Sequence, residues 1–246
     1  MTLWLLPLLG LVAFLYAAVG HAGASGYIAV LALAGLPAEQ IKPLALILNI
    51  AVAAQGSWQF WRAGHLRWRL FWPVLLAGLP AAFLGGWLDL PTLWFQRLVA
   101  LVLLASALRF LRQPGDPERL TQPPLILLVL SGAGLGLLAG LTGTGGGVFL
   151  TPLLLGCSWA STRQAAAVSS LFIFGNSLSG LAGLLLARQL SGALLPAQLG
   201  WMLLMVLLAG AVGSRLGSRH WPVAWIRRCL ALVLLLAALK LLGFAG

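Results

Sequence analysis

Apolar residues along this chain do not alternate with polar ones; they come in long runs separated by short polar connections. The runs fall at roughly 3–19, 26–36, 43–60, 70–88 and 94–112, then at roughly 124–141, 147–157, 163–187, 194–213 and 223–243. Most are long enough, at about 1.5 Å per residue, to cross about 30 Å of hydrocarbon as helices. Two are not. The segments from Gly26 to Leu36 and from Gly147 to Cys157 reach about half that span, and each follows a glycine-rich stretch. The pattern predicts an all-α integral membrane protein of ten hydrophobic helices, the second helix of each half short and preceded by a Gly-rich loop.

The two sets of five runs resemble each other residue by residue. Pro91-Thr-Leu-Trp-Phe-Gln-Arg97 has its counterpart in Pro222-Val-Ala-Trp-Ile-Arg-Arg228, and the likeness continues to Arg109 and Lys240. Gly20-His-Ala-Gly-Ala-Ser-Gly26 corresponds in position to Leu141-Thr-Gly-Thr-Gly-Gly-Gly147, and Lys42 to Arg163. Shared proline, tryptophan and arginine positions mark a duplication rather than two helices of similar composition. The hydrophilic connector Gln113–Gln122, rich in proline and carrying Asp116 and Glu118, separates the copies. The reading is one transmembrane domain over 1–246, with a first repeat at 1–112, a cytoplasmic linker at 113–122 and a second repeat at 123–246.

Composition fixes the solvent. Of 246 residues, 61% are hydrophobic and 8% charged, where a soluble domain needs roughly 25% charged residues to coat its surface. The net charge of +11 does not point to nucleic acid, because the 13 arginines and two lysines sit almost entirely in connections between apolar runs. That placement sets topology. Basic residues cluster at Arg62, Arg67 and Arg69, and again at Arg109, Arg112 and Arg119. In the second copy the loop matching the first cluster holds only Arg188, while the next holds Arg215, Arg219, Arg227 and Arg228. The basic loop has moved by one position, so the copies are expected as inverted repeats of five crossings each, with both termini outside the cytoplasm. The first segment has no basic flank or cleavage site and reads as a retained helix. Cys157 and Cys229 form no disulfide framework or zinc spacing, and no cofactor or metal is expected.

The candidate chemistry lies at the short helices, since short segments at matching positions of two inverted halves point to a transporter's binding site. Gly23, Ser25 and Gly26 in one half, and Gly145, Gly146 and Gly147 in the other, would present free backbone N–H groups at helix N-termini. These favour an anion without a buried cation. Ser25, Thr142 and Thr144 add hydroxyls; the competing reading is close helix packing by small residues. Asn49 in the third run, with Ser169, Ser170 and Asn176 in its counterpart, either contacts substrate or bridges helices. Lys42 and Arg163 guide anions or anchor the interface. All four carboxylates, Glu39, Asp89, Asp116 and Glu118, fall in connections, which argues against a cation pump. His21 is the titratable group beside the presumed site, either a proton-coupling group or a neutral hydrogen-bonding one.

The stretch Ala139-Gly-Leu-Thr-Gly-Thr-Gly-Gly-Gly-Val-Phe-Leu-Thr-Pro-Leu-Leu154 resembles the glycine-rich signature of the TauE/SafE sulfite-exporter family, and Val19-Gly-His-Ala-Gly-Ala-Ser-Gly-Tyr27 resembles the paired motif of one of its branches. The resemblance covers nearly the whole chain. It implies a multi-pass protein of the bacterial inner membrane that moves sulfite, thiosulfate or an organosulfonate. The residues alone argue for a small anion carried by alternating access. An anion channel using the same helix ends, or a membrane-embedded sulfur-handling enzyme using Cys157, stays open as an alternative.

Overall fold

The computed structural model describes residues 4–18, 20–88, 90–112, 119–188 and 196–217, with a few helical positions between 231 and 239. Among these residues are nine helices and no strands: α1 (Leu5–Ala18), α2 (Ala24–Leu33), α3 (Ala38–Arg62), α4 (Trp68–Trp87), α5 (Thr92–Arg112), α6 (Leu125–Thr142), α7 (Gly147–Gly156), α8 (Thr162–Arg188) and α9 (Leu199–Gly217). Nine of the ten expected runs are matched to within a few residues. The tenth, at 223–243, most of the linker, Asp89, His220 and Cys229 lie outside the described residues or largely so. Five helices, α3, α4, α6, α8 and α9, are long and apolar enough to cross a membrane. The short helices are as short as expected, ten residues each.

The surface is that of a protein solvated by lipid: Leu186 is 73% exposed, Leu125 65% and Trp201 65%. Inside, glycines bring backbones together. On α6, Gly132, Gly136 and Gly140 lie against the backbone of Val74, Gly78 and Ala82 on α4. Both series advance by four, so the helices run parallel, with small residues on the contact face. On the other flank of α4, Gly175 lies against Leu75 and Leu79, Gly86 against the backbone of Gly180, and Gly183 against that of Phe83 and Trp87, so α4 and α8 also run parallel. Gly213 of α9 meets the backbone of Phe14, and Gly10 of α1 meets Met205, so α1 and α9 form a second parallel pair.

These contacts divide the interior into two apolar cores. One gathers side chains of α1, α2, α3, α5 and α9, joined by Val148 and Ile173. The other gathers α4, α6, α7 and α8. Neither follows the boundary at the linker: α9 joins the core of helices that precede it, and α4 the core of helices that follow it.

Polar contacts order the loops. Arg67 Nη1 donates to the carbonyl of Trp159 at 3.2 Å, and the Thr121 amide donates to Ser158 at 2.8 Å. The loop before α4, the chain entering α6 and the turn after α7 therefore share one face, together with Arg62, Arg69, Arg119 and Arg163. On the opposite side, buried Lys42 donates through Nζ to the carbonyls of Gly85 at 3.1 Å and Gly86 at 3.3 Å. A cation at the C-terminal end of α4 is favoured by the helix dipole.

Candidate functional site

The helices α3 and α8 cross near their midpoints, and the crossing is where buried polar side chains concentrate. Asn49 Nδ2 donates to Ser177 Oγ at 2.9 Å, and both residues are fully buried. Further along, the hydroxyls of Ser57 and Ser170 lie 3.2 Å apart, beside Gly56. The contacts run 49 with 177 and 57 with 170, so the helices are antiparallel here. They are eight positions apart on α3 and seven on α8, or about 11 Å.

The Gly-rich turns reach this crossing from two sides. Between α6 and α7 the chain takes positive φ at Gly143, Gly145 and Gly146. A side chain at Gly145 would strike Asn49 Nδ2, with Ile173 at 2.9 Å and Ser177 Oγ at 3.1 Å. Gly147 lies against Ile173, while Gly146 lies against Phe172 and Leu135. The first helical bonds of α7 run from Phe149 and Leu150 back to the Gly146 carbonyl. The amides of Gly147 and Val148 thus precede the helical ladder. Thr142 and Thr144 bond each other through their hydroxyls at 2.9 Å, bracing the turn.

Between α1 and α2 the turn carries Gly20 and Gly23 at positive φ. Gly20 lies against Ala166 and Phe60. His21, 5% exposed, lines a small cavity with Gln55, Gly56, Ser170, Gly210 and Ser214. The cavity has room for about one water molecule. Asn176, fully buried, lies against Gly78 of α4; the carbonyl oxygen of Gln55 lies 3.6 Å from the position a side chain at Gly210 of α9 would take. Asn49 Oδ1, Gln55 Oε1 and both amide atoms of Asn176 are buried with no hydrogen-bond partner. Each such atom costs about 1–3 kcal/mol. Buried side-chain polar groups are rarely left so, and three of them lie on this one pair of helices.

The expected site residues therefore separate. Asn49 and Gly145 converge on Ser177, with Gly147 one side chain away; His21 and Ser170 share the cavity; Asn176 faces α4. The others are placed in helix contacts. Ser25 Oγ and the Tyr16 hydroxyl are 2.7 Å apart, and Gly26 packs on Val12 and Tyr16 of α1. Gly23 lies against the ring of Tyr27, whose hydroxyl donates to the Ala22 carbonyl at 2.8 Å. Ser169 accepts from Thr151 of α7 at 2.8 Å. Cys157 is exposed at the far end of α7, its carbonyl accepting from Thr121 Oγ1 at 3.1 Å.

Ser177, Ser57 and Gln55 escaped the sequence reading. For Gln55 a signal existed: the 121-residue offset that pairs Lys42 with Arg163 also pairs Gln55 with Asn176. Ser177 had none, because its partner Asn49 is 128 residues away.

Long apolar helices with an apolar exterior and polar side chains at a central crossing define a helical, multi-pass membrane protein. A family profile described as "Sulfite exporter TauE/SafE" matches residues 5–241. The chain is 39% identical over 236 residues to a protein of Sinorhizobium fredii named "Probable membrane transporter protein y4hK", with 94% of each chain covered. No solved structure matches. The chain belongs to the TauE/SafE sulfite exporter family of membrane transporters.

Proposed function

We propose that the protein carries a small oxidised sulfur anion, sulfite or a thiosulfate- or organosulfonate-type ion, through the α3–α8 crossing by alternating access. The observation that carries this reading is the set of buried donors near the crossing: Asn176 Nδ2, which has no partner, the Asn49 amide, which places one N–H on Ser177, and the α7 amides that precede its helical ladder. The amide groups of Asn49 and Asn176, and the backbone N–H groups opening α7, supply donors for oxyanion oxygens. They do so without a buried cation whose desolvation would cost several kcal/mol.

The two copies form inverted repeats of five crossings each in this reading. Supporting it is the way contacts exchange when α1, α3 and α9 are swapped for α6, α8 and α4. The parallel pair α1–α9 becomes α6–α4, also parallel, and Asn49 with Ser177 becomes Ser170 with the Gly56–Ser57 position. The arginine-rich face is cytoplasmic and the membrane is the bacterial inner membrane. The moving bodies are the two apolar cores, each sealed by a glycine seam, and α3 and α8 are the surfaces that roll on each other. A cavity with room for about one water at His21 is too small for a four-atom oxyanion, so passage requires the cores to separate there.

Purified protein in proteoliposomes tests the reading. Sulfite, thiosulfate, sulfoacetate, sulfate and chloride fluxes are compared with and without a pH gradient. Saturable flux of a sulfur oxyanion, dependent on Asn49, is the expected result. Equal chloride and sulfite flux, or unitary currents in planar bilayers, rejects it.

A further inference from the structure

On the arginine-rich face a groove of about 470 Å³ opens between the beginnings of α4 and α6, well away from the α3–α8 crossing. Arg67 and Arg69, with Thr121 and Gln122, form its polar part; Trp68, Trp72 and Leu125 are among its apolar lining. Arg67 is held in place by its bond to the Trp159 carbonyl, which engages one of five guanidinium donors. Trp68 and Trp72 stack at 5.9 Å with 22° between their planes. Because α4 and α6 run parallel, both also bring their N-terminal ends, with orphan N–H groups and the positive end of the dipole, to the same groove.

The two parts ask for different things. The arginines and helix ends call for an anion at the membrane surface. The apolar part, where Trp72 is 49% and Leu125 65% exposed, continues onto the lipid-facing side of the protein. One occupant meets both demands: an amphipathic molecule with an anionic head. We propose that the groove is a binding site for an anionic phospholipid, its phosphate between Arg67 and Arg69 and its acyl chains along Trp72 and Leu125. A free phosphate would satisfy only the polar part, and a zwitterionic lipid would bring its own cation against the arginines. Basic pockets between membrane helices on the cytoplasmic side are a recurring means of lipid selection.

The test uses the full-length protein in a neutral detergent. Short-chain phosphatidylglycerol, short-chain phosphatidylcholine and inorganic phosphate are titrated in turn, with binding read by native mass spectrometry and the thermal midpoint. Phosphatidylglycerol is expected to bind and raise the midpoint, phosphatidylcholine to bind about ten-fold or more weakly, and phosphate to do neither. Arg69→Gln weakens phosphatidylglycerol binding about five-fold, and adding Arg67→Gln brings the loss to about 25-fold. Arg69→Gln leaves the Arg67 tether intact, so its effect is read on a folded protein. Arg62→Gln is the control, since Arg62 lies on the same face but over Trp58, at 5.4 Å, outside the groove. The proposal is overturned if phosphatidylcholine matches phosphatidylglycerol, if phosphate alone reproduces the shift, if Arg69→Gln binds like the parent, or if Arg62→Gln weakens binding as much as Arg69→Gln.

Discussion

The side-chain amide of Asn49 donates to the hydroxyl of Ser177 at 2.9 Å, tying the middle of α3 to the middle of α8 while leaving Asn49 Oδ1 buried and without a partner. Interhelical hydrogen bonds in membranes are worth about 0.6 kcal/mol on average and about 1.7 kcal/mol at most. A bond to a charged group is worth about 1.5–3 kcal/mol. Asn49→Ala is therefore expected to lower the melting midpoint in detergent only slightly while cutting sulfite flux about ten-fold or more. Loss of stability in step with loss of flux would make Asn49 glue alone.

Gly145 and Gly35 share the left-handed conformation but not their surroundings. Gly145 has φ +71 and faces Asn49 Nδ2; Gly35 has φ +77 and nothing within 4 Å. Alanine at either costs about 1–2 kcal/mol of backbone strain. Gly35→Ala should do no more than that, and Gly145→Ala should also abolish flux. Melting curves paired with proteoliposome flux separate the two. Full flux through Gly145→Ala would reject the α7 turn as part of the pathway.

The α4–α6 seam predicts a contrast within one helix. A side chain at Gly140 would strike the Ala82 carbonyl, whereas Gly134 has nothing within 4 Å. Gly140→Ala is expected to cost about 1–3 kcal/mol or more from overpacking. Gly134→Ala is neutral or stabilising by up to about 1 kcal/mol through helix propensity. Thermal unfolding in one detergent measures both.

Cys157 tests orientation and chemistry together. Cys157 is exposed and its backbone carbonyl accepts from Thr121, which places it on the face that carries Arg67. In a Cys229→Ser background, a membrane-impermeant maleimide should label Cys157 only from the cytoplasmic side. Cys157→Ser should transport like the parent; loss of flux would reopen a role for the thiol.

Much of the architecture was legible without coordinates because hydropathy is a local property. Each apolar run must be a helix, since lipid offers its backbone no hydrogen-bond partner. The start of α7 was legible at Gly147 and its end to within one residue, whereas α2 runs from Ala24 to Leu33, two to three residues ahead of the Gly26–Leu36 segment that hydropathy marks. The site was legible only in outline. Asn49, Gly145 and His21 were visible as polar or glycine positions in apolar runs. Ser25 and Gly26 looked equivalent to them, yet they face α1.

By itself, then, the sequence determined the solvent, the helices and the two half-length segments. Lipid discriminates against polar surface one segment at a time, and composition records that directly. Tertiary structure alone decided that α9 packs with α1, α2, α3 and α5 while α4 packs with α6, α7 and α8, and that Ser177 meets Asn49. Lipid tails are as apolar as leucine, so hydropathy carries no preference among helix partners. Pairing is settled where small-residue faces fit, as Gly136 fits Gly78, and that fit exists only once the helices are side by side.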